Sequence, residues 1–251
     1  MYSLGLVGAF VLGAVVGSFA NVCIYRLPRR QSLIAPGSSC PFCLVRIPPW
    51  HNVPLLSFLL LGGRCAACQA RISWRYPLVE GLCGLLYAGL FWQWAFSPQA
   101  AVAAALVTAL LIVSFIDLDY QIVPDAITLP GIGAGLLASA WLTPVGLGNA
   151  FLGAGLGGGL LLLVALLSRG GMGGGDIKLL AMVGAFLGWR AVLVTVFLGA
   201  LSGAVVGIAL ILLGKKKRKE PIPFGPFLSL GALVALFWGE RLLAWYFRLS
   251  P

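Results

Sequence analysis

Long apolar blocks, parted by short polar or glycine-rich stretches, dominate this chain. Crossing the ~30 Å hydrocarbon layer of a bilayer takes about 20 apolar residues in a helix. Eight blocks approach that length, at roughly 4–25, 78–96, 100–117, 126–143, 148–168, 177–189, 191–213 and 225–247. The sixth is short, and Gly188-Trp189-Arg190 is the only break before the seventh. One extended interval, 26–77, is too polar to span. The pattern predicts an all-α polytopic membrane protein of about eight transmembrane helices. It comprises a first helix (1–25), a cytoplasmic loop domain (26–77) and a seven-helix membrane domain (78–251).

Composition strengthens this reading. Of 251 residues, 60% are apolar and only 10% charged, against roughly 25% charged in a soluble domain, and mean hydropathy is +1.01. A soluble enzyme, a disordered tail and a secreted disulfide scaffold are excluded. The net charge of +10 does not point to nucleic acid, because the basic residues gather at the ends of apolar blocks. Arg26, Arg29, Arg30, Arg46, Arg64, Arg71 and Arg75 lie between the first two spans. Arg169 and Lys178 flank the fifth–sixth loop, and Lys215, Lys216, Lys217, Arg218 and Lys219 follow the seventh span. With eight spans all of these share one side, leaving only Arg190, Arg241 and Arg248 opposite. The crowded side is then cytoplasmic and both termini lie outside. Met1 to Ser3 carry no charge before the first span, which predicts an uncleaved anchor. The run at 215–219 reads as a topogenic loop. Gly153, Gly157, Gly203 and Gly207 recur every four residues within spans, a spacing that allows close helix packing.

Four of the six cysteines form two pairs, Cys40-Pro-Phe-Cys43 and Cys65-Ala-Ala-Cys68. Two such knuckles provide four thiolates for one tetrahedral zinc ion. Redox-active pairs are the alternative, although a reducing cytoplasm disfavours persistent disulfides. A loop of about 50 residues is too small for a good core of its own, so a structural metal has a physical job there. With four protein ligands no coordination position stays open for chemistry. His51, the only histidine, reads as a loop residue. Leu55–Leu61 is too short to span and is expected to rest on the bilayer or pack on the knuckles. Cys23 and Cys83 read as small buried residues.

The acids are few: Glu80, Asp117, Asp119, Asp125, Asp176, Glu220 and Glu240. All four aspartates sit at the predicted cytoplasmic ends of spans, where ionisable groups are costly and usually functional. Asp125, after a proline and before an apolar helix, also fits an N-cap. Asp119 fits a turn cap, and Asp176 a helix cap after the glycine-rich 170–175. Asp117 is deepest and has the weakest structural role. Two carboxyls brought together share a proton, so that one protonates a carbonyl while the other deprotonates water. A proton-relay transporter built on Asp117 and Asp176, and a zinc-knuckle assembly factor without chemistry, are the rival classes.

Several segments together resemble a known family. Gly173-Gly174-Gly175-Asp176 matches the G-x-G-D signature of intramembrane aspartyl proteases. The wider Gly171–Ala181 stretch resembles prepilin peptidase, the type IV leader peptidase family of bacteria. So do Gly17–Val22 with Tyr25-Arg26-Leu27-Pro28, the paired-cysteine loop, Ile116–Asp119 with Val123-Pro124-Asp125, and Pro221-Ile222-Pro223-Phe224-Gly225-Pro226. The resemblance implies eight helices in the bacterial inner membrane and a cytoplasmic zinc-binding loop. It implies catalytic aspartates Asp117 and Asp176 and zinc ligands Cys40, Cys43, Cys65 and Cys68. The implied activity is removal of the basic leader from type IV prepilins or type II secretion pseudopilins, after a glycine at the cytoplasmic face. Methylation of the new N-terminal amine by S-adenosylmethionine follows. No methyl-transfer residue is legible, since 26–77 contains no Asp or Glu. A basic leader meeting basic loops is expected to rely on anionic lipid with Asp119, Asp125 and Glu220.

Overall fold

The computed structural model describes residues 2–168, 171–215 and 222–249. Arg169, Gly170, the basic residues Lys216–Lys219, Glu220 and Pro221 lie outside them, with the expectations placed on them. The described chain is helical, with elements α1 (Tyr2–Arg26), α2 (Leu56–Leu60), α3 (Arg75–Trp94), α4 (Pro98–Tyr120), α5 (Asp125–Trp141), α6 (Leu147–Leu167), α7 (Gly174–Leu212) and α8 (Gly225–Leu249). Among the described residues five helices (α1, α4, α6, α7 and α8) are long and apolar enough to cross a membrane. The chain forms two compact units, one up to Ile112 and one from Val113 onward.

The sixth and seventh predicted spans run together as α7, whose 39 residues would measure about 58 Å at 1.5 Å per residue. That is nearly twice a bilayer core. The helix is not continuous: Gly188 adopts φ 80, ψ 174, outside helical space. A side chain there would be strained in the left-handed region, so the glycine that sequence alone marked as a break is one. The two halves pack on different neighbours. The first half takes α6 at Gly153 against Gly184 and at Gly157 against the Leu180 carbonyl, and the Ser139 hydroxyl of α5 donates to the Ala185 carbonyl at 2.9 Å. Gly199 and Gly203 of the second half lie against Phe227 of α8.

In the first unit α1 crosses α3 closely. A Cβ at Gly13 would stand 2.6 Å from the Cys83 carbonyl, and one at Gly17 2.8 Å from Glu80 Cα. Cys23 and Cys83 are buried in this packing. The Asn21 amide donates to the Tyr76 carbonyl at 3.1 Å. Beyond these helix ends the loop returns on itself, with α2 placing Phe58 on Trp74 (ring centroids 4.8 Å) while Leu59 and Leu60 stay exposed.

Candidate active site and metal centre

The two knuckles are one object built twice, 25 residues apart (Cys40 to Cys65). Cys40 N–H donates to Val45 O at 3.0 Å, and Cys65 N–H to Ala70 O at 2.9 Å. Leu44 N–H donates to Cys40 O and Gln69 N–H to Cys65 O, and both Leu44 and Gln69 take φ 58. Antiparallel bridges Ser39–Arg46 and Arg64–Arg71 close the turns. The four sulfurs converge within 4.8 Å of one another, Cys40 and Cys68 at 3.8 Å. A tetrahedron of ~2.3 Å Zn–S bonds has edges of about 3.8 Å, so the donor set fits zinc. Backbone amides of Cys43 and Phe42 push the Cys40 thiol down to about 6. Cys68 goes the other way: the Ala70 amide favours its thiolate, but desolvation and the three neighbouring sulfurs push it up to about 12. Four thiols this close cannot all ionise unless a cation offsets their charge. His51, in a single 3₁₀ turn (Pro49–His51), is not part of the cluster.

In the second unit, Asp117 occupies the last turn of α4 and Asp176 the first turn of α7. Asp117 is only 5% exposed. Its Oδ2 accepts a 2.9 Å hydrogen bond from the Gly225 amide, at the first residue of α8. Asp176 is half-buried, within electrostatic reach of Asp117. It is not the N-cap of α7; that position is held by Gly173, whose carbonyl accepts from Asp176 N–H at 3.1 Å. The nearby glycines divide the labour. Gly175 lies under Val123, where a Cβ would approach within 2.6 Å, whereas Gly174 has nothing within 4 Å and leaves an open backbone beside the acids.

The other aspartates do different work. Asp125 is not an N-cap, since Pro124 holds that position without a side-chain cap. Its carboxylate instead pairs with Lys178 Nζ at 2.6 Å, both partly exposed. This pairing already offsets its charge, which weakens its expected role towards a basic leader. Asp119 is exposed. Two residues escaped sequence reasoning. Gly225 was visible only within Pro223-Phe224-Gly225-Pro226, with nothing to tie it to Asp117, 108 residues away. Glu80 was visible as the only acid in the first 116 residues. It folds back onto the loop: Leu55 N–H donates to its Oε2 at 2.8 Å, and the Ser18 hydroxyl hydrogen-bonds the same carboxyl.

The family model described as bacterial peptidase A24 N-terminal domain matches residues 11–94. That of the type IV leader peptidase family matches 104–208, taking in both aspartates. Similar proteins named prepilin leader peptidase/N-methyltransferase are aligned over nearly their whole length. The one from Stutzerimonas stutzeri is 39% identical over 96% of this chain and 93% of its own. Those from Pseudomonas aeruginosa and Aeromonas hydrophila are 37% identical (96% and 92%) and 40% identical (94% and 92%). The chain belongs to the type IV leader peptidase family. No solved structure matches it. Its place in that family puts the buried Asp117, the neighbouring Asp176 and the four-sulfur cluster in the setting of a membrane-embedded aspartic peptidase.

Proposed function

We propose that this chain is a membrane aspartic endopeptidase that removes the basic leader of type IV prepilins or type II secretion pseudopilins. It cuts after a glycine at the cytoplasmic face of the bacterial inner membrane. It then methylates the new N-terminal amine with S-adenosylmethionine. The observation that carries the proteolytic reading is the pair of carboxyls at two helix ends, Asp117 buried and tethered by the Gly225 amide, Asp176 within electrostatic reach of it. One carboxylate takes a proton from water as the water oxygen attacks the scissile carbonyl carbon, and the protonated partner donates to the carbonyl oxygen. Collapse of the tetrahedral diol breaks the C–N bond, the nitrogen leaves protonated, and the acids are reset.

The division is a first helix (1–25), a cytoplasmic loop domain (26–77) and a seven-helix peptidase domain (78–251). In this reading the chain crosses eight times, counting α7 twice across Gly188, with both termini outside the cytoplasm. Cys40, Cys43, Cys65 and Cys68 would hold a zinc ion that fixes the loop and, having four protein ligands, offers no site for substrate.

The test offers purified full-length protein in lipid a prepilin with a basic leader, Gly at the cut and Phe next, with and without S-adenosylmethionine. Wild type is expected to cleave, and Asp117→Asn and Asp176→Asn are each expected to lose cleavage. Cleavage by either variant removes that aspartate from the mechanism. Flux of an ion dependent on Asp117, without cleavage, would favour the proton-relay alternative.

A further inference from the structure

The loop domain carries an apolar face that its own packing leaves uncovered. The short helix α2 turns Ser57, Phe58 and Leu61 inward, into the cavity enclosed by the loop. Leu56, Leu59 and Leu60, three and four residues apart, share the opposite face, and Leu59 and Leu60 are 70% and 84% exposed. The neighbouring helices fix the depth of this face. Leu55 N–H donates to Glu80 at 2.8 Å, and a Cβ at Gly81 would meet Leu55 Cδ2 at 3.9 Å. Glu80 in turn lies against Gly17 of α1. The first charge of α1 is Arg26, nine residues further on, which is about 13 Å along the helix at 1.5 Å per residue. The start of α2 therefore lies well inside the polar end of a helix long and apolar enough to cross a membrane. An exposed leucine at that depth faces hydrocarbon.

The turn that follows α2 supplies charge. Arg64 and Arg71, both exposed, stand opposite each other across the antiparallel bridge of the second knuckle. Side chains so placed have Cβ atoms about 5 Å apart, and like charges there are destabilising. The knuckle itself does not require the pair, since the first knuckle closes in the same way with Ser39 opposite Arg46. Residues 26–77 contain seven arginines and no Asp or Glu, so the counter-charge must come from outside the domain. Its level is also set by the chain. Arg64 N–H donates to Leu61 O at 3.2 Å, just past α2, and Arg71 comes four residues before Arg75, where α3 begins. The arginines thus lie shallower than the leucines, at the polar ends of the helices.

We propose that α2 and the second knuckle together form a binding surface for anionic phospholipid. Leu56, Leu59 and Leu60 enter the acyl layer, and Arg64 and Arg71 hold the headgroup phosphate between them. Apolar contacts deep and basic contacts shallow follow the order of a lipid molecule, the pattern by which amphipathic segments bind an anionic bilayer. The surface is continuous with the lipid-facing side chains of α1, where Val11, Val15 and Phe19 are exposed. A second copy of this basic domain would add positive charge to the arginine pair instead of offsetting it. The contact fastens the loop domain to the bilayer at a point separate from its covalent connections to α1 and α3.

The test places the photocrosslinker p-benzoylphenylalanine in place of Leu60 in the full-length protein. Nanodiscs contain equal amounts of anionic phosphatidylglycerol and zwitterionic phosphatidylcholine, a prepilin peptide is added, and adducts are identified by mass. Lipid adducts are expected, enriched in phosphatidylglycerol by roughly 10- to 25-fold, at about fivefold for each arginine near the surface. Arg64→Gln combined with Arg71→Gln should bring the enrichment close to one while lipid adducts persist. Arg64→Lys combined with Arg71→Lys should keep most of it. Because Arg64 adjoins Cys65, zinc content and a thermal melt check every variant. If the double Gln variant is unfolded, Arg71→Gln alone decides, with an expected loss of about fivefold. Adducts to a second copy or to the peptide in place of lipid overturn the proposal, as does the absence of any lipid adduct. So does an enrichment that is missing from the unmutated arginine pair or unchanged in a folded Gln variant.

Discussion

Replacing Gly225 with alanine puts one carbon where the Asp117 carboxyl already is. The added Cβ would stand 2.8 Å from Oδ2, 3.3 Å from Cγ and 3.4 Å from Cβ of Asp117. Ordinary contacts with carbon begin near 3.5 Å, so the carboxyl must retreat by roughly half an ångström or turn away. Asp117 is buried at the end of α4, and the retreat stretches or breaks the bond from the Gly225 amide. A hydrogen bond to a charged group is worth about 1.5–3 kcal/mol, and each 1.36 kcal/mol of lost transition-state stabilisation is tenfold in rate. Gly225→Ala is therefore expected to lower kcat for cleavage about 10- to 150-fold. The assay is steady-state cleavage of a prepilin by the purified variant in lipid, with a thermal melt of the same sample. A folded Gly225→Ala protein with wild-type kcat would refute the idea that this glycine sets the position of Asp117.

Three further outcomes follow from the packing and charge of the site. The intact four-sulfur site is expected to bind one zinc ion per chain, and Cys65→Ser to leave at most one ion shared between two chains. Zinc supplies about 10 kcal/mol or more of folding energy in small metal-folded domains, so the loop should become protease-sensitive between residues 26 and 77, read by metal analysis and limited proteolysis. Gly184→Val drives a side chain into the backbone of Gly153. It should cost about 3 kcal/mol or more through overpacking, seen as a lower Tm or failure to accumulate. Lys178→Ala removes a partly exposed ion pair with Asp125 and should cost under about 1 kcal/mol, a difference that shrinks further in high salt.

Much of this protein is written in local pattern. The apolar blocks give the long helices because length and hydropathy alone decide what fills a bilayer, and the C-x-x-C spacing gives the knuckles because each turn closes within its own few residues. Gly188 was legible too, as the only interruption in an otherwise unbroken apolar stretch. Tertiary facts were not. Nothing near Gly225 in sequence says that its amide meets a carboxyl at the end of α4. Nothing near Glu80 says that it turns away from its own helix to hold Leu55. Asp125 followed a proline and preceded a helix, the pattern of a cap, yet a lysine from α7 claims it. In each case the deciding partner comes from an element remote in the chain, and local propensity carries no information about which remote element will arrive.

The duplication in the loop domain has a consequence for stoichiometry. Each knuckle closes through its own amides and carbonyls, independently of the other, so each is a finished two-sulfur claw. Closing the site joins two prepared bidentate ligands, and the entropy of gathering four separate cysteines never has to be overcome in one step. A chain that loses one claw keeps the other ready, with half a coordination shell to offer. Such chains would satisfy the metal by sharing it, one zinc ion between two molecules, so that damage to a structural site inside one protein becomes a bridge between neighbours in the membrane.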